Sequence, residues 1–82
     1  MISRRVTVKA AEGLHARPAA EFVRLVQESG LQITVKRLDG RSADGGSILS
    51  LLTLGIKRGE VAVIEAQDSA ETLVNRLEAL LG

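Results

Sequence analysis

Three chemically useful side chains stand within four consecutive residues of this chain: His15, Arg17 and Pro18, with Ala16 between the first two, directly after Gly13-Leu14. His15 is the only histidine. An imidazole that titrates near neutrality is partly unprotonated and can attack phosphorus as a nucleophile. Pro18 suits the first turn of a helix, where its missing N–H costs no hydrogen bond. A helix starting there puts His15 at or beside the N-cap, next to the free N–H groups of the opening turn and the positive end of the helix dipole. Such a place favours a phosphate dianion. Arg17 adds a planar guanidinium that can fork onto phosphate oxygens. The residues alone leave two plainer roles open for His15, a solvated surface imidazole and an ordinary helix cap.

The second informative stretch runs from Ser47 to Gly55, Ser-Ile-Leu-Ser-Leu-Leu-Thr-Leu-Gly. The Ser47 hydroxyl offers an N-cap to a short apolar helix that ends at Gly55. Leu51 and Leu54, three apart, face the core, and Ile48 does so in part. Leu49 and Leu52 then point elsewhere and form an apolar patch of a kind that a monomer normally avoids. A helix buried on most sides fits the same pattern.

Composition narrows the classes of function. At 82 residues the chain is a single domain, 1–82, with a small core and little stability to spare. Phe22 is the only aromatic residue, which argues against nucleic-acid binding by base stacking. Eleven Lys and Arg oppose ten Asp and Glu, and the basic residues are scattered along the chain with acids between them, so no polyanion track forms. Cysteine is absent, which excludes disulfides, thiolate catalysis and Cys-based zinc sites. A lone histidine speaks against a metal site, and no cofactor is expected. The amino terminus lacks an apolar signal region and no stretch is long enough for a membrane span, so a soluble, cytoplasmic protein without membrane insertion is expected.

The elements that must position these groups follow from periodicity. Alternation of Val6, Val8 and Ala10 with Thr7 and Lys9 predicts a strand over Arg4 to Ala10. Ala19, Phe22, Val23 and Val26 recur at helical spacing from Ala16 to about Glu28, with Gly30 as a left-handed cap. Leu31 to Leu38 alternates again, with Leu31, Ile33 and Val35 inward. Asp39-Gly40 predicts a two-residue hairpin into a strand at Arg41 to Ala43, and Asp44-Gly45-Gly46 reads as a flexible link. Val61 to Ala66 is the last strand, with Ala62, Ile64 and Ala66 inward and Glu65 outward. Asp68 and Glu71 have capping-box spacing before a helix whose stripe is Ala70, Leu73, Val74, Leu77, Leu80 and Leu81. The order is β-α-β-β-α-β-α. Strands with one polar face imply an antiparallel sheet covered on a single side, an α+β fold.

Gly13-Leu-His-Ala-Arg-Pro-Ala19, followed about thirty residues later by Ser47-Ile-Leu-Ser-Leu-Leu-Thr-Leu-Gly55, resembles HPr. This is the family of histidine-containing phosphocarriers of the bacterial phosphoenolpyruvate-dependent sugar phosphotransferase system (PTS). The resemblance covers essentially the whole chain. It implies an open-faced sandwich, four antiparallel strands in the order 1-4-2-3 with three helices on one face. It implies that His15 is the phosphoryl acceptor, loaded on Nδ1 by phospho-enzyme I and unloaded by IIA domains of sugar permeases. Arg17 matches the family's active-site arginine and Pro18 the proline that shapes the helix start; with Ala16 they make up the phosphate-stabilising turn. Ile48, Leu49 and Leu52 match positions that contact both partners, and Ala20 and Arg24, on the His15 side of the first helix, complete the docking patch. Ser47 matches a serine phosphorylated in some Gram-positive members by the HPr kinase/phosphorylase. Here Gly45-Gly46 precede it, where many kinase-regulated members carry a lysine beside the serine. The resemblance implies a stoichiometric phosphoprotein carrier, expected to be monomeric, rather than an enzyme.

Two other readings remain at this level. One is the nitrogen-branch carrier of the PTS, which shares the histidine motif but serves a regulatory IIA protein. Thr53-Leu54-Gly55 looks closer to the sugar branch, while the Leu-rich middle of the stretch suits either. The other is an anion- or protein-binding α+β module in which His15 is only a cap.

Overall fold

The computed structural model describes residues 1–9 and 16–82. Four antiparallel strands, β1 (Ile2–Thr7), β2 (Ile33–Arg37), β3 (Ser42–Asp44) and β4 (Val61–Ala66), form one sheet in the order β1-β4-β2-β3. Among the described residues the helices are α1 (Ala16–Ser29), α2 (Ile48–Leu54) and α3 (Glu71–Leu81). The expected α+β fold and strand order are both present. β4 lies between β1 and β2: Ala62, Ile64 and Ala66 are buried under the helices, while Val61, Val63 and Glu65 are half-covered on the open face. β1 pairs with it from Ile2↔Ala66 to Thr7↔Val61, and β2 from Ile33↔Ala66 to Arg37↔Ala62.

β1 starts two residues before the predicted strand and ends at Thr7. Arg4 hid its start, because it shares the inward phase of Val6 and Val8. The position tolerates a guanidinium because Arg4 reaches the Asn75 side chain and, at 2.9 Å, the Glu78 carboxylate on α3. Of the predicted inward residues, Ala10 lies outside the described residues. Val8 is fully buried just past the strand, its N–H donating to the Glu60 carbonyl at 2.9 Å.

The hairpin between β2 and β3 differs from expectation. Lys36 pairs with Ser42, and the Arg37 N–H donates to the Arg41 carbonyl, so Leu38, Asp39 and Gly40 make a three-residue loop. Gly40 takes a positive φ of 96°, the left-handed residue that ends such a loop. β3 is thereby displaced by one residue from the predicted strand. Nor is Asp44-Gly45-Gly46 a flexible link. The Gly45 N–H donates to the Ile33 carbonyl at 2.7 Å and the Gly46 N–H to the Asp44 carboxylate at 2.9 Å. A Cβ on Gly45 would stand 2.9 Å from Ile33 Cγ2, so the turn needs glycine for close approach.

The core lies between the sheet and the helices. Ala19, Phe22, Val23, Leu25 and Val26 of α1 meet Leu73, Val74, Leu77 and Leu81 of α3 and Leu51 and Leu54 of α2. α3 begins without the predicted capping box. Asp68 falls inside a 3-10 turn, Asp68–Ala70, closed by the Ala70 N–H donating to the Gln67 carbonyl, and no side chain caps the helix. Among the described residues no helix is long and apolar enough to cross a membrane.

Candidate functional site

α1 opens at Ala16, the residue after His15; His15 itself and the side chain of Ala16 lie outside the described residues. Arg17 is exposed in the first turn and Pro18 is half-covered. That turn holds no acidic residue, so no carboxylate of the helix itself competes for the positive end of its dipole. Arg17, Ala20 and Arg24 follow one another along an exposed stripe of the helix. Arg24 is already engaged there, in an ion pair with Glu21 and another with Glu28 at 3.0 Å. The hydrogen bond from Arg24 holds the Glu21 carboxyl below its usual range, and both glutamates raise the pKa of the guanidinium. Any partner anion at Arg24 must exchange with these pairs.

α2 divides its seven residues sharply. Leu51 and Leu54 are buried, whereas Leu49 is 72% exposed, Ile48 41% and Leu52 39%. The apolar patch expected from spacing is therefore present on the surface. The alternative of a helix buried on most sides is not what forms. Ser47 caps the helix from an extended backbone, its hydroxyl accepting from the Ser50 N–H at 3.3 Å, and Gly55 ends it in the left-handed conformation. An open groove of about 420 Å³ between α2 and β3, lined by Arg41, Ser42, Leu49, Ser50, Thr53 and Leu54, borders the patch.

Two neighbouring elements hold α2 in place. At its start, the Gln27 amide on the α1 stripe donates to the Gly46 carbonyl at 2.9 Å. At its end, Arg37 Nη1 donates to the carbonyls of Leu54 (3.2 Å) and Gly55 (3.0 Å), while Nη2 meets Glu60 Oε2 at 3.0 Å. Glu60 in turn accepts from the Lys57 N–H at 2.7 Å; that bond first, then Arg37, keeps its carboxyl below the glutamate range. Val8, bonded to the Glu60 carbonyl, leads into the segment that carries His15. α2 thus starts beside the later turns of α1 and ends against Arg37 of β2. Neither Gln27 nor Arg37 is marked by the sequence pattern, because their partners are backbone carbonyls remote in the chain. Among the described residues no group of three His, Cys, Asp or Glu side chains gathers as a metal site.

A family model described as "PTS HPr component phosphorylation site" matches residues 2–82. The phosphocarrier protein HPr of Streptomyces coelicolor is 42% identical over 82 residues, covering 99% of this chain and 88% of that protein. The phosphocarrier protein HPr of Vibrio cholerae is 39% identical, covering 99% and 95%. The crystal structure of a phosphocarrier protein HPr from Bacillus anthracis superposes with a TM-score of 0.88 at 32% identity, covering 99% of this chain and 96% of that one.

Proposed function

This chain belongs to the HPr family of PTS phosphocarriers, and from that premise we propose that it accepts a phosphoryl group on His15 from phospho-enzyme I and passes it to IIA domains of sugar permeases. The observation that carries this reading is the start of a helix at Ala16, directly after His15, with Arg17 exposed and no carboxylate in the first turn. Backbone N–H groups and the guanidinium stabilise the dianion. Transfer then requires little beyond positioning and charge stabilisation, because the transition state is loose and its charge spreads over the phosphoryl oxygens.

Ile48, Leu49 and Leu52 form the docking surface, extended by Ala20 and Arg24 on α1. An exposed apolar face on a domain this small costs solubility unless a partner covers it. The protein works as a monomeric, cytoplasmic, stoichiometric carrier. Phosphorylation at Ser47, by a kinase of the HPr kinase/phosphorylase type, would add charge at the start of α2 beside Leu49 and oppose docking without unfolding the helix it caps. The Ser47 hydroxyl already has a structural role as the cap.

Incubation with enzyme I and phosphoenolpyruvate, followed by intact-mass measurement, tests the proposal. The expected result is an acid-labile gain of one phosphoryl group, absent in His15→Ala. A label that persists in that variant, or survives acid, would refute it.

A further inference from the structure

We infer that Arg37, far from the acceptor in sequence, is a positioning residue for phosphoryl transfer: it sets the docking face of α2 by clamping the end of that helix to β2. The inference rests on the carrier reading above.

A seven-residue helix is too short to hold its own shape in water, since nucleation consumes most of what its few hydrogen bonds return. Its first turn is capped by Ser47, the residue before that cap, Gly46, is held by Gln27, and its buried side is fixed by Leu51 and Leu54. The last carbonyls of a helix have no intrahelical partner. In α2 those of Leu54 and Gly55 both accept from Arg37 Nη1. The same guanidinium holds Glu60 through Nη2 and reaches Asp39 through Nε at 3.3 Å. With a side chain only 19% exposed, it is anchored among four partners on three segments of the chain. Leu52 and Leu49 lie within the turn and a half that this clamp terminates. Without it the final turn frays, and the patch loses the fixed geometry a partner must match. Lysine replaces it only in part, because one ammonium lacks the fork that spans two carbonyls and a carboxylate.

Arg4 supplies the control. It is also a partly covered guanidinium tying a strand to a helix, through Asn75 and Glu78, but on α3 rather than α2. The test compares Arg37→Ala, Arg37→Lys and Arg4→Ala with the unmodified chain as substrates of enzyme I and phosphoenolpyruvate, and follows amide hydrogen exchange across 48–55. Arg37→Ala is expected to raise KM for the carrier on the order of fivefold, the lower end of typical coupling between sites, with kcat little changed. Arg37→Lys falls between it and the unmodified chain, and Arg4→Ala leaves KM unaltered. Exchange in α2 accelerates in Arg37→Ala and not in Arg4→Ala. Equal KM for all four chains, an equal rise in Arg37→Ala and Arg4→Ala, or unaltered exchange in α2 would each overturn the inference. Failure of the unmodified chain to take up any label overturns the carrier reading instead, and the exchange data still report on the clamp.

Discussion

α2 and α3 are both leucine-rich helices packed on the same sheet, yet they use their leucines differently. In α3 every apolar residue of the stripe is covered: Leu73, Val74, Leu77 and Leu81 are buried and Leu80 half-buried, with Asn75, Arg76 and Ala79 outside. In α2 only Leu51 and Leu54 are buried, and the outward face is Ile48, Leu49 and Leu52. α3 obeys the amphipathic rule by which a helix hides its apolar stripe. α2 breaks that rule on one side. Apolar residues beyond what the core takes up support the docking surface proposed above, and the helix bearing them is the one held at both ends by Gln27 and Arg37.

The comparison breaks if the two helices respond alike to truncation. Leu77→Ala empties a fully buried site and is expected to cost about 2–5 kcal/mol in urea unfolding, a large share of what a domain of this size holds. Leu49→Ala should change stability by no more than about 0.5 kcal/mol, as at other exposed positions. A Leu49→Ala cost near that of Leu77→Ala would place Leu49 in the core after all.

Function sharpens the same contrast. Leu49→Asp puts a charge at the centre of the exposed face and is expected to slow phosphoryl transfer from phospho-enzyme I about tenfold, equivalent to about 1.4 kcal/mol of docking energy, while circular dichroism and the melting curve stay unchanged. A normal transfer rate in that variant would remove the docking assignment.

The smallest effect concerns pH. Glu60 is held below its ordinary value of 4.5, chiefly by the Lys57 N–H and then by Arg37. A carboxyl depressed by folding contributes stability above its unfolded pKa, and that contribution is lost as pH falls through the folded value. The melting temperature of Glu60→Gln should therefore lie slightly below that of the unmodified chain near neutrality. The gap should close as pH drops from about 6 to about 3. A gap that widens in acid would reverse the sign and exclude Glu60 as a stabilising anion.

Much of this was legible in the residues. Alternation located the inward residues of β2 and β4, and helical spacing located the buried stripes of α1 and α3 together with the exposed Leu49 and Leu52 of α2. What misled were places where tertiary contacts override local pattern. Arg4 stands in an inward phase because Asn75 and Glu78 wait for it across the fold. Asp39-Gly40 carries a hairpin signal, but Arg37 pairs with Arg41 and the loop takes a third residue. Asp68 and Glu71 have capping spacing, yet a 3-10 turn occupies the cap position. Gly45 reads as slack and is a tight contact with Ile33. The clamp on α2 left no local trace, since a side chain donating to a distant carbonyl imposes no periodicity. The proposed acceptor was legible only as a motif: His15 beside Arg17 and Pro18 suggests anion handling, and membership of the HPr family supports a phosphorylation site there, to be tested.

A single chase experiment tests that central claim most directly. Label from phosphoenolpyruvate is passed by enzyme I to the chain, the donor is removed, and a IIA domain is added. The account predicts label on the unmodified chain that is acid-labile, absent from His15→Ala, and transferred to the IIA domain on mixing. Label that forms without His15, or that stays on the chain when a series of IIA domains is offered, would contradict it.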